Sequence, residues 1–134
     1  MKIKSGTGIE LLLANTIIME QLNKIKNLTE LLASLKEIST PMFINLCSRC
    51  GDGFLMDQII SNMQKEYGEK MGYQKMPTEL SKVIKEELMI SKNPVLLLIK
   101  EGEIKALFNG MSAQHRLEEA LNNLNSQTQN SDLS

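Results

Sequence analysis

The sequence predicts an α/β domain preceded by an N-terminal extension. Three observations carry this reading. Apolar runs of strand length alternate with segments of helical periodicity through the middle of the chain, a hairpin signal follows them, and an amphipathic helix closes the pattern. At 134 residues the chain has the usual size of one domain and can bury a core without disulfides or a structural metal.

The elements follow in order. A short strand is expected at "KIKNL" (24–28), and then "TELLASLKEI" (29–38) places Leu31, Leu32, Leu35 and Ile38 on one helical face. Pro41 stops that helix, and the near-continuous apolar run "MFINL" (42–46) suits a strand covered on both faces. After Gly53, "FLMDQIISNMQKEY" carries Met56, Ile59, Ile60, Met63 and Tyr67 as a helical stripe, with Asp52 placed to cap it and Gly68 to end it. "GYQKM" (72–76) reads as a short strand, and Pro77 with Thr78 opens a helix bearing Leu80, Val83, Ile84 and Leu88.

The segment "SKNPVLLLIKEGEIKALFNG" reads as a hairpin. Its strands are Val95 to Ile99 and Ile104 to Phe108, its turn lies in "KEGE", and Gly110 ends it. Ser112 is placed to cap a last helix with Ala113, Leu117, Ala120, Leu121 and Leu124 inward, and "NSQTQNSDLS" (125–134) is polar enough to be a disordered tail. Residues 1–23 fit neither period well and are expected to add a helix, packed on the domain or forming a contact between two copies as a homodimer.

Composition narrows the function classes. Fifteen Lys and Arg nearly cancel sixteen Asp and Glu, and only three Phe and two Tyr are present, so neither a phosphate-binding field nor a base-stacking platform is evident. Nucleic acid is not expected as a partner. Glu10, Asn15 and Glu20 interrupt the apolar N-terminal stretch well short of a membrane span, and it makes a poor leader, so a soluble, cytoplasmic protein is expected. The nine methionines are read as core filling, and His115 as a surface residue in the first turn of the last helix.

The chemistry concentrates in "CSRCGDG", Cys47 to Gly53, which holds both cysteines. A bridge between them would close almost no loop, so their value is chemical. A zinc site of thiolates and imidazole needs about four ligands, and the single histidine, His115, lies more than sixty residues away. No metal and no cofactor are expected; a cluster shared by the cysteines of two chains is the outlying alternative.

Strands alternating with helices, then a hairpin and a helix, with a C-x-x-C after the strand that precedes the second helix, resemble the thioredoxin superfamily. The more specific part is "NPVLLLIKEGEIKALFNGMSAQHRLEEAL". It resembles the family's cis-proline strand, its K-x-G-E turn and the glycine ahead of its last helix, with Gly102 eight and Gly110 sixteen residues after Pro94. The resemblance covers residues 24–124. It implies a thioredoxin-like fold with a central mixed sheet of four to five strands flanked by helices, and a cis bond between Asn93 and Pro94 beside the redox cysteines.

In such a site the thiolate attacks, and a helix N-terminus favours that anion; the second cysteine then resolves the mixed disulfide, while a neighbouring strand start offers its backbone to a peptide. The resemblance thus implies thiol–disulfide exchange, with Cys50 as nucleophile, Cys47 as resolving partner, Asn93 and Pro94 facing a protein or peptide disulfide, and Asp52 capping the helix near the thiols. The chain departs from the pattern because Cys47 directly follows "MFINL". With the strand held in register, Asn45 falls where thioredoxins commonly bury an acid, and "CGDG" takes the place of the dithiol motif.

Starting the helix near Cys47 instead would bury Gly51 and Gly53 in its opening turns, at about 1 kcal/mol each relative to alanine. Local physics prefers a start at Asp52 or Gly53, with both thiols in the preceding loop. The alternative function, from another class, is a redox-inactive thioredoxin-fold module for protein binding or assembly, supported by the displaced cysteines, by Asn45 and by the absence of tryptophan.

Overall fold

A computed structural model of the chain describes residues 24–46, 52–92, 94–110 and 112–133. The expected N-terminal extension, 1–23, lies outside the described residues. The elements run α1 (Leu28–Ser34), β1 (Met42–Leu46), α2 (Asp52–Tyr67), β2 (Gly72–Lys75), α3 (Thr78–Glu87), β3 (Val95–Lys100), β4 (Glu103–Asn109) and α4 (Gln114–Leu133). The four strands form one mixed sheet in the order β2-β1-β3-β4. β1 pairs parallel with β2 and antiparallel with β3, and β3 pairs antiparallel with β4.

Strand alternation sends successive side chains to opposite faces, and both faces are covered. Met42, Ile44 and Leu46 join Val95, Leu97 and Ile99 against Leu31 of α1 and Leu80 and Ile84 of α3. Phe43 joins Leu96 and Leu98 against Met56, Ile60 and Met63 of α2 and Leu117, Leu121 and Leu124 of α4. Met56 and Met63 are thus core residues, as their spacing predicts, and each such fully buried side chain contributes about 1.5–3 kcal/mol.

Two segments differ from the sequence reading. Residues 24–28 are not a strand: Asn27 caps α1, its side chain accepting from Glu30 N–H at 2.9 Å while the Glu30 carboxylate accepts from Lys26 N–H at 3.0 Å. This pair satisfies donors that a helix start leaves open, and only Ile25 of the segment is buried to anchor a strand. The second is the expected tail, where α4 runs on to Leu133. Once Leu117, Leu121 and Leu124 anchor the helix, adding polar residues to an existing end avoids the cost of nucleation. Ala113 takes the cap position expected of Ser112, its carbonyl accepting from Arg116 and Leu117 N–H.

The hairpin closes through Glu101 (φ 54°) and Gly102 (φ 77°) between the paired residues Lys100 and Glu103, a two-residue turn of the primed kind that matches strand twist. A further residue, Lys105, is accommodated by a register shift between Leu98 and Ile99. The turn docks on the end of α1: Glu101 N–H donates to Ile38 O at 3.0 Å, and a Cβ on Gly102 would stand 2.8 Å from Leu32 O and 3.0 Å from Lys36 Cα. Gly102→Ala is therefore expected to lower stability by about 2–4 kcal/mol, from left-handed strain plus a backbone clash, read as a fall in the urea midpoint at unchanged slope.

α3 ends in a Schellman motif: Met89 N–H bonds Glu86 O, and Ile90 N–H bonds Lys85 O. The left-handed position, where glycine is usual, is held by Met89 (φ 59°), whose side chain is 92% exposed and packs on nothing that would be lost. Met89→Gly is expected to stabilise the fold by about 0.5–1 kcal/mol, read in the same titration; no change or a loss would mean that the strain is not there.

Candidate functional site

The site is the end of the sheet where β1 stops, α2 starts and β3 begins. β1 ends at Leu46 and α2 begins at Asp52, so the connection between them holds five residues, 47–51, and both cysteines. Leu46 is paired with Val95 in the antiparallel register, so one step beyond each strand lie Cys47 and Pro94 in sequence. Pro94 is buried, and its carbonyl accepts from Gly110 N–H at 2.8 Å, tying the start of β3 to the glycine (φ 97°) that ends β4.

Of the residues expected to act here, Cys47, Cys50 and Asn93 lie outside the described residues, and with them the peptide bond before Pro94. Asp52 is the first residue of α2, one place inside the cap position expected of it. Topology brings the cysteine-bearing connection and Pro94 to the same end of the same strand pair. His115 is exposed in the first turn of α4.

Near the end of β1 lies a polar network that the sequence reading found only in part. Asn45, the penultimate residue of β1, is fully buried on the side covered by α2 and α4. Its amide Nδ2 donates to the Tyr73 hydroxyl at 2.8 Å. Tyr73 Oη in turn donates to a carboxylate oxygen of Asp57, and Lys75 Nζ bonds the other oxygen of that carboxylate at 3.0 Å. Burial, then the Asp57 carboxylate, push the Tyr73 phenol well above its ordinary value, while the Asn45 amide pulls it part of the way back. The phenol therefore keeps its proton and remains a donor to Asp57.

That fixes the amide. A carboxylate only accepts, so the single Tyr73 proton goes to Asp57, and Tyr73 Oη takes its hydrogen bond from the NH2 of Asn45. Asn45 Oδ1 is turned away and is the buried side-chain acceptor without a partner among the described residues. Such an orphan costs about 1–3 kcal/mol, which makes it the energetic anomaly of the site. The Lys75–Asp57 pair, with side chains 53% and 33% exposed, adds at most about 1 kcal/mol and serves to orient the carboxylate.

Tyr73, Asp57 and Lys75 were not singled out by sequence. The available signal was the strand period: Tyr73 and Lys75 alternate on one face of β2, and Lys75 pairs with Asn45. Among the described residues, no helix is long and apolar enough to cross a membrane, and no three His, Cys, Asp or Glu side chains gather as a metal site would need.

No family model matches the sequence, and no curated protein matches it by sequence. Solved structures do match. Mitochondrial thioredoxin 3 from Saccharomyces cerevisiae, in its oxidised form, superposes with a TM-score of 0.58 at 21% identity over 74% of this chain and 92% of that one. Thioredoxin O2 from Arabidopsis thaliana, also oxidised, gives 0.57 at 22% identity over 75% and 90%. Thioredoxin from Plasmodium falciparum gives 0.55 at 18% identity over 74% and 95%. With its mixed sheet in the order β2-β1-β3-β4 and helices on both faces, the chain has the thioredoxin fold.

Proposed function

We propose that this protein is a thioredoxin-like thiol–disulfide oxidoreductase acting on protein or small disulfides in the cytoplasm. The observation that carries the reading is the five-residue connection, 47–51, that holds both cysteines and runs straight into the N-terminus of α2. Cys50 is two residues before Asp52, so chain connectivity alone keeps their Cα atoms within about 7.6 Å. Unsatisfied N–H groups and the helix dipole favour a thiolate there, and Arg49 adds a cation in sequence.

The reaction balances within the dithiol. The Cys50 thiolate attacks one sulfur of a substrate disulfide, forming a mixed disulfide and expelling the other substrate sulfur as a thiolate that takes up a proton. Cys47 then gives up its proton and attacks the Cys50 sulfur, releasing the second substrate thiol and leaving a Cys47–Cys50 disulfide. Two electrons and two protons pass to the substrate, and an external dithiol returns them. In this reading Asn93 and Pro94, at the start of β3, offer backbone to the substrate peptide.

A second reading has its own supporting observation. The buried polar group near the end of β1 is the amide of Asn45, which takes no proton from a thiol, and this favours a thioredoxin-fold binding module without redox activity. One experiment separates the two. The purified chain, given a dithiol reductant, is expected to reduce a protein disulfide with turnover, and Cys50→Ser to abolish it while Cys47→Ser leaves a trapped mixed disulfide. Turnover that survives both substitutions, or none in the wild type, rejects the oxidoreductase.

A further inference from the structure

β4 is an edge strand, and its outer side meets no other strand among the described residues. Gly110 N–H bonds Pro94 O, and in the antiparallel register that continues from this pair, residues bonded to β3 alternate with residues whose backbone groups point outward. Leu107 and Asn109 fall in the outward set, so their N–H and C=O groups form a short free ladder. Side chains alternate as well. Leu107 pairs with Leu97 on the side of α1 and α3 and is 40% exposed, while Ala106 and Phe108 lie on the side of α2 and α4.

Beside this edge, under α4, is a groove of about 250 Å³ lined by Leu98, Lys105, Ala106, Ala120, Asn123 and Leu124. Simple alternation would send Lys105 to the opposite side from Ala106. The register shift between Leu98 and Ile99 makes Lys105 the extra residue of a bulge, and both side chains line the groove. Leu98 and Leu124 are buried and make an apolar floor, whereas Lys105 and Asn123 are exposed and bring an ammonium and an amide to its rim. Pockets for small-molecule ligands run from about 300 to 1,000 Å³, so this groove suits a single side chain. Lys105 Nζ holds Glu103 Oε1 at 2.9 Å, with both side chains exposed. A surface pair of this kind is weak and yields to an incoming carboxylate.

We propose that β4, at Leu107 and Asn109, takes up an extended peptide strand of another protein, which seats an acidic side chain in the groove against Lys105 and Asn123 and a neighbouring apolar side chain on Leu107. The backbone ladder supplies affinity and the two side-chain contacts supply specificity. Because successive side chains of a strand leave opposite faces, the acidic and apolar residues are adjacent in the peptide. The bulge and Lys105 also end the free ladder on the turn side, which keeps the edge from pairing indiscriminately. This surface needs no thiol and goes beyond the redox reading.

The test is binding of two acetylated, amidated peptides, Val-Glu-Val-Glu-Val and Val-Lys-Val-Lys-Val, to the isotope-labelled full-length chain, followed by amide NMR and hydrogen exchange. The glutamate peptide is expected to bind about tenfold more tightly than the lysine peptide, and to protect the Leu107 and Asn109 amides from exchange. Lys105→Glu is expected to reverse the preference. Asn109→Pro, which removes an outward N–H and no bond to β3, is expected to weaken both peptides; circular dichroism confirms that each variant is folded, and the Lys105→Glu reversal decides the matter if Asn109→Pro is not. Equal binding of the two peptides, no binding, a preference unchanged in Lys105→Glu, or protection that falls on residues outside β4 overturns the proposal. Neither peptide carries sulfur, so the outcome is independent of whether the chain reduces disulfides.

Discussion

Strand β1 is paired along both edges and covered on both faces, and the other elements take their places from that enclosure. Its alternation splits five residues between two cores, with Met42, Ile44 and Leu46 toward α1 and α3, and Phe43 and Asn45 toward α2 and α4. A slip of one residue would exchange the two sets and turn Asn45 toward the apolar side chains of α1 and α3. The register with Val95 is thus specified by burial on both sides, and the same register sets the end of β1 beside the start of β3.

Asn45 is the exception that this enclosure creates. A polar side chain on a fully buried strand must find partners among whatever packs on it, and three elements contribute to the answer. β1 supplies the amide, β2 the phenol and the lysine, and α2 the carboxylate. The network gives the amide nitrogen a partner and leaves the oxygen without one among the described residues. Another feature ties the same end of the sheet down: the Pro94–Gly110 hydrogen bond holds the start of β3.

Much of the fold was legible because its determinants are local. The apolar run "MFINL", the stripe from Met56 to Met63 and the spacing of Pro94, Gly102 and Gly110 each declare an element within a few residues. Gly102 in particular marks a turn that needs positive φ, and the structure adds why nothing larger fits, since α1 presses against it. The misreadings were also local. Residues 24–28 alternate like a strand, but the Asn27–Glu30 pair starts a helix there. At the other end, polar residues 125–133 continue a helix whose anchors lie upstream.

The sequence by itself determined the alternation of strands and helices, the hairpin and its turn, and the concentration of chemistry between Cys47 and Gly53, because periodicity and backbone conformation are set by neighbouring residues. The resemblance also set Asn45 where thioredoxins commonly bury an acid. Only the tertiary structure decided what that amide meets. Asp57 reads in sequence as part of a polar helix face and Tyr73 as one residue of a short strand. Their convergence on Asn45 depends on the parallel pairing of β1 with β2 and on the packing of α2 across both, and interactions between elements so far apart along the chain leave no periodic trace in it.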